Sequence, residues 1–112
     1  MSLSTLIERE FGVKTGSSEN PITDSVGLTA ARVLPNNPNR LGWILVNLSV
    51  NLIYLGFSPD VSTSKGIQVG ANGGMTSMMY REDFELTAHE VYAIAAGANS
   101  AIYVVETLIV GE

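Results

Sequence analysis

Residues 42–57 constrain the fold more than any other part of this 112-residue chain. They form its longest apolar block and hold its only tryptophan, Trp43. Asn47, Ser49 and Asn51 divide the block into two runs too short to be long helices. Both runs are rich in β-branched and aromatic residues, which suit a pleated, buried surface. The expectation is a hairpin of two buried strands, residues 41–47 and 51–57. The same three polar residues exclude a membrane span here.

The rest of the chain repeats this pattern of short runs and turn signals. Residues 30–34 are expected as a strand, followed by a Pro35, Asn36, Asn37, Pro38, Asn39 turn. Residues 66–70 alternate strictly. Asn72 and Gly73 form a hairpin signal, because both central residues of such a turn take positive φ. Strands are expected at 75–80, 91–96 and 101–110, with a charged connection at 81–85 and an extended or single-turn piece at 86–90. Seven or eight strands at roughly 8–12-residue spacing read as an all-β fold. The fold class expected is an antiparallel β-sandwich or jelly-roll-like barrel with an N-terminal helical or extended arm.

That arm is expected over residues 1–29, ahead of a β-sandwich domain over 30–112. Leu3, Leu6, Ile7 and Phe11 lie at helical spacing, Thr5 and Glu8 fit a capping box, and Gly12 is a stop. A helix of about two turns is too short to stand alone in water, so it must dock on something. Residues 14–25 are polar and turn-rich and read as an extended segment or linker.

Charge narrows the function classes. Net charge is −5, with only six scattered lysines and arginines, against the cationic surface that duplex binding needs. Direct nucleic-acid binding is not expected. There is no cysteine, hence no disulfide, thiolate metal site or thiol nucleophile. Charged residues are 15% and apolar residues 46%, a balance that points to surface hidden by oligomerisation. No secretion signal is apparent.

No catalytic set can be assembled. His89 is the only histidine and lacks an orienting partner, because Glu90 points to the opposite face of a strand. Glu82, Asp83, Glu85 and Glu90 lack the spacing of a calcium loop and read as a solvated acidic turn. A glycosidase pair drawn from these and Glu106 would need a longer chain to enclose a sugar. Residues 70–74 are glycine-rich but have no following lysine, so they read as a turn. Asn47, Leu48 and Ser49 spell a glycosylation sequon at a tight-turn position and carry no expectation of a glycan. No catalytic residue, metal or cofactor is expected. Trp43, Leu45, Tyr54 and Val104 are expected in the core. Trp43, Tyr54 and Phe57 could alternatively form a carbohydrate platform.

The last strand is nearly continuously apolar around Glu106, so both faces should be covered. A buried Glu106 requires a cationic partner, for which Arg32 and Arg40 are the candidates. Met75, Met78 and Met79 cluster, and methionine adapts to irregular apolar surfaces. The residues expected at a partner or oligomer interface are Leu3, Leu6, Ile7, Phe11, Met75, Met78, Met79, Tyr103 and Leu108.

Several short motifs occur in a suggestive order. An arginine precedes an apolar strand, then Val46-Asn47-Leu48-Ser49, Ile53-Tyr54-Leu55-Gly56, Val61-Ser62 and Gly66-Ile67. A glycine turn, Val91-Tyr92-Ala93-Ile94 and Val104-Val105-Glu106 complete the order. Over residues 30–112 the chain resembles the small β-sandwich virion proteins of tailed bacteriophages and related viruses, the head decoration or cement proteins. The resemblance implies a non-enzymatic homo-oligomer, a trimer, seated on the capsid exterior of the virion. Its partners would be copies of itself and the major capsid protein or another virion protein, with no membrane and no direct nucleic acid. The alternative is a carbohydrate- or receptor-binding module of a phage tail or fibre.

Overall fold

The computed structural model describes residues 2–111; Met1 and Glu112, the outer bounds of the expected arm and domain, lie outside it. The described residues form helix α1 (Leu3–Phe11) and strands β1 (Lys14–Glu19), β2 (Ser25–Val26), β3 (Ala31–Leu34), β4 (Arg40–Asn47), β5 (Ile53–Gly56) and β6 (Ile67–Val69). Strand β7 (Met75–Met79) runs into a helical turn α2 (Tyr80–Asp83) and a 3₁₀ helix (Phe84–Ala88), before β8 (Val91–Ala95) and β9 (Ser100–Gly111). The charged connection and the piece after it are thus helical turns.

The strands make two antiparallel sheets in a sandwich-like all-β fold. One has the order β1-β9-β4-β7, with β2 also on β9; the other has the order β3-β8-β5-β6. Trp43, Leu45, Ile102 and Val104 from the first sheet meet Leu34, Ile53, Leu55, Val69, Val91, Ala93 and Ala95 from the second. Each of these is at most 4% exposed, so this one layer is the core. Burial of this apolar surface is the main favourable term in the fold.

The expected central hairpin is not one. The two halves of the block are β4 and β5, and they lie in different sheets. Both halves are strands as expected, and β4 and β5 bury every second residue. Their partner is each other's face, not each other's edge. The turn between them explains why. The Asn47 carboxamide is fully buried and donates to the carbonyls of Asn51 (2.7 Å) and Val69 (3.3 Å). Its Oδ1 accepts from the Ser49 amide (3.0 Å) and hydroxyl (2.7 Å). These bonds replace a ladder and carry the chain across the sandwich.

Asn72 and Gly73 do take positive φ, at 58° and 101°. They also join two sheets, since β6 pairs β5 and β7 pairs β4. The arch is tight: a Cβ on Gly74 would lie 2.2 Å from the Gly70 carbonyl oxygen, so only glycine fits.

Two corrections concern the N-terminal third. The cap of α1 is Ser2, whose hydroxyl accepts from the Thr5 amide at 3.2 Å, so the helix begins earlier than a cap at Thr5 implies. Gly12 ends it at φ 72°, donating to the Glu8 carbonyl. Of the polar stretch that follows, residues 14–19 and 25–26 are extended and pair along β9.

A candidate assembly surface on the five-stranded sheet

Register decides which side chains leave the core. Opposed residues of an antiparallel pair point to the same face. Trp43 opposes Met78 and Glu106, and Leu45 opposes Thr76 and Val104; these rows point inward. The alternate rows point outward. Gly42 opposes Met79 and Thr107, Ile44 opposes Ser77 and Val105, and Val46 opposes Met75 and Tyr103. The outer face therefore carries Ile44, Val46, Val105, Tyr103, Met75 and Met79, interrupted by small polar groups.

Water reaches this face. Met75 is 58% and Met79 53% exposed, while Ile44, Val46 and Val105 are half-buried. The charge standing among them, Glu19, accepts a hydrogen bond from the Tyr103 hydroxyl. That bond holds the Tyr103 phenol above its ordinary pKa, because only the neutral form can donate, with desolvation as the second cause. The outer face of the other sheet differs in kind. Tyr54 lies on it opposite Gln68, and Arg32 opposes Tyr92. Arg32 pairs there with Glu90 at 3.5 Å in an exposed contact worth little.

A β-bulge shapes one end of the apolar face. The register of β4 on β9 shifts between Arg40 and Gly42, with Leu41 as the extra residue. Arg40 consequently turns into the sandwich and Leu41 to the outside. There Leu41 joins Ile7, Phe11, Val13, Met79 and Tyr80 around an open groove of about 440 Å³ beneath α1. No residue of α1 is buried. Arg81 fastens its end: the guanidinium lies 5.9 Å from the Phe11 ring and donates to the Tyr80 hydroxyl at 3.0 Å.

On the inner side of that bulge lies the buried ion pair. Arg40 Nε donates to Glu106 Oε2 at 2.6 Å, and both residues are 3% exposed. The remaining guanidinium donors go to the carbonyls of Pro35 (2.6 Å), His89 (3.1 Å) and Thr87 (3.3 Å). Arg40, not Arg32, is the partner that Glu106 requires. The set ties β4, β9, the 3₁₀ helix and the loop after β3 into one end of the sandwich. It gives each guanidinium nitrogen an acceptor and turns the group away from solvent. His89 contributes its backbone, while its side chain is exposed.

The expected interface residues divide. Leu3 (71%), Leu6 (43%) and Phe11 (50%) are exposed on α1 and Ile7 is half-buried. Met75, Met79 and Tyr103 share the outer face. Met78 does not join them: it points inward and packs on the core. Leu108 is half-buried in the inward-facing row with Arg40. Of the expected core, Trp43, Leu45 and Val104 are buried, whereas Tyr54 is half-buried on the outside of the other sheet. Trp43, Tyr54 and Phe57 therefore do not form one platform, because Trp43 lies in the core, Phe57 packs against it, and Tyr54 faces away. Ile44, Val46 and Val105 were absent from the expected interface. Their signal was the unbroken apolar runs 41–46 of β4 and 101–105 of β9, which include positions that a one-sided strand would make polar.

Among the described residues no group of three or more His, Asp or Glu side chains is placed to hold a metal. No helix among them is long and apolar enough to cross a membrane. Compared with family models, curated proteins and solved structures, the chain matches none.

Proposed function

We propose that this chain is a non-enzymatic virion structural protein, a capsid decoration or cement protein that self-associates and braces the capsid lattice. The observation that carries the proposal is the apolar outer face of the β1-β9-β4-β7 sheet, continuous with the groove under α1. An exposed apolar patch of this extent marks an interaction surface. The strand order supports the same reading. Chain neighbours from β3 to β9 alternate between sheets except at β5 and β6, as expected for a jelly-roll-like sandwich, an architecture used by viral capsid domains. The trimeric state, the seat on the capsid exterior and the contact with a major capsid protein belong to this proposal through the resemblance in residues 30–112.

The mechanism is mechanical. Copies bury their outer faces, and the arm and loops clamp capsid subunits, so internal pressure must break many contacts together. The acidic charge of −5 suits a protein that does not touch packaged DNA. The test adds purified protein to particles assembled without it and follows thermal disruption. Binding with a raised disruption temperature is expected. Absence of both binding and stabilisation overturns the capsid reading.

A further inference from the structure

Five elements bound the sheets: β1, the two-residue β2 and β7 the first, β3 and β6 the second. Sheet edges are normally protected by charge, proline or brevity. β1 carries Lys14 and Glu19, β3 carries Arg32, and β6 has three residues. β7 is the exception. Its residues, Met75, Thr76, Ser77, Met78 and Met79, include no charge and no proline.

The backbone of β7 shows which groups are open. The Asn47 amide donates to the Gly74 carbonyl, so Asn47, Leu45 and Trp43 direct their ladder bonds toward β7. Their partners Thr76 and Met78 use theirs on β4. The amides and carbonyls of Met75, Ser77 and Met79 then point out of the sheet. One is already occupied: the Met79 amide donates to Asp83 Oδ2 at 2.9 Å. The others are a template for one more strand.

We propose that β7 pairs antiparallel with β7 of a second copy about a two-fold axis through Ser77. This rests on the self-association proposed above and adds to it a two-fold contact between two copies, separate from the three-fold contact of a trimer. The strand is its own complement. Pairing about Ser77 sets Met75 of one copy opposite Met79 of the other, both on the apolar outer face. The open edge-facing groups, the amides and carbonyls of Met75 and Ser77 and the carbonyl of Met79, come into register, while the Met79 amide stays on Asp83. The acidic turn after β7 lies beside the neutral turn, residues 71–74, of the other copy, so no like charges oppose. Both five-stranded sheets become one continuous sheet, and their apolar faces become one surface. Asp83 caps one end of each edge and limits how far pairing extends, which opposes open-ended strand addition. A two-fold contact closes at two copies.

The test uses the absence of native cysteine. In an antiparallel hydrogen-bonded pair the Cα atoms lie about 5.5 Å apart, within reach of a disulfide. Ser77→Cys should therefore give a covalent dimer on mild oxidation, whereas Ser64→Cys, exposed in a distant loop, should not. Ser77→Pro removes one edge-facing amide without touching the β4 ladder. It should weaken dimerisation by about tenfold or more. The cross-link stands independently if the proline variant fails to fold. An oligomeric wild type that Ser77→Pro leaves unchanged, with Ser77→Cys linking no faster than Ser64→Cys, overturns the β7 contact and leaves self-association standing. A wild type that is monomeric at every concentration overturns both.

Discussion

Arg40 and Glu106 are the two residues whose environment departs most from what their chemistry prefers. Both charges are withdrawn from water, and the cost is offset by the 2.6 Å contact and three carbonyl acceptors. Removing one partner leaves the other charged and buried. We expect Arg40→Ala to lower unfolding free energy by roughly 3–5 kcal/mol, read from the urea midpoint. The double change Arg40→Met with Glu106→Leu should recover much of that loss, since an apolar pair leaves no orphan charge. A single variant as stable as wild type would contradict the account. Tyr103 gives a pH-dependent counterpart on the outer face. Its folded pKa is raised above 10.0 by the bond to Glu19. The stability from that bond is present at neutral pH and fades as pH rises through the folded value. Glu19→Gln should return the Tyr103 phenolate absorbance titration toward the ordinary tyrosine range of about 10. An unchanged titration would show that the bond does not control it.

At the scale of elements, α1 and the strands differ in what holds them. Helix α1 has a cap, a stop and the Phe11–Arg81 contact, but no buried residue. Deleting residues 1–12 should therefore shift the unfolding midpoint of the isolated chain by little, within about 1 kcal/mol. A large loss would mean that α1 is part of the core. The strands are held by the opposite kind of contact, and this decided what could be read in advance. That β4, β5, β8 and β9 are turn-bounded apolar runs is visible in any list of their residues. The pairing is not. Residues 48–52 are compatible in length with a hairpin, and the crossing to the other sheet depends on the Asn47 carboxamide reaching Val69, a residue 22 positions away. β1 was hidden for another reason. It consists of Lys14, Thr15, Gly16, Ser17, Ser18 and Glu19, with no apolar pattern, and is fixed mainly by backbone pairing to β9. Glu106 announced a cationic partner, but only the bulge at Leu41 selects Arg40 over Arg32. Met75, Met79 and Tyr103 stand on the outer face, whereas Met78 turns to the core; its parity on β7 could not be set without knowing its ladder partner.

For the whole molecule, the proposal turns on what covers the outer face of the five-stranded sheet. The principal extents are 45 × 23 × 21 Å, longer in one direction than a small domain requires. Its accessible surface is 6412 Å². A monomeric protein of this mass exposes about 5,900 Å². The central claim is that this face is covered by further copies of the chain, and the molar mass in solution across a wide concentration range tests it most directly. The account predicts a mass at multiples of the 11.9 kDa chain, falling toward one chain only on dilution. A single species of 11.9 kDa at every concentration would contradict it.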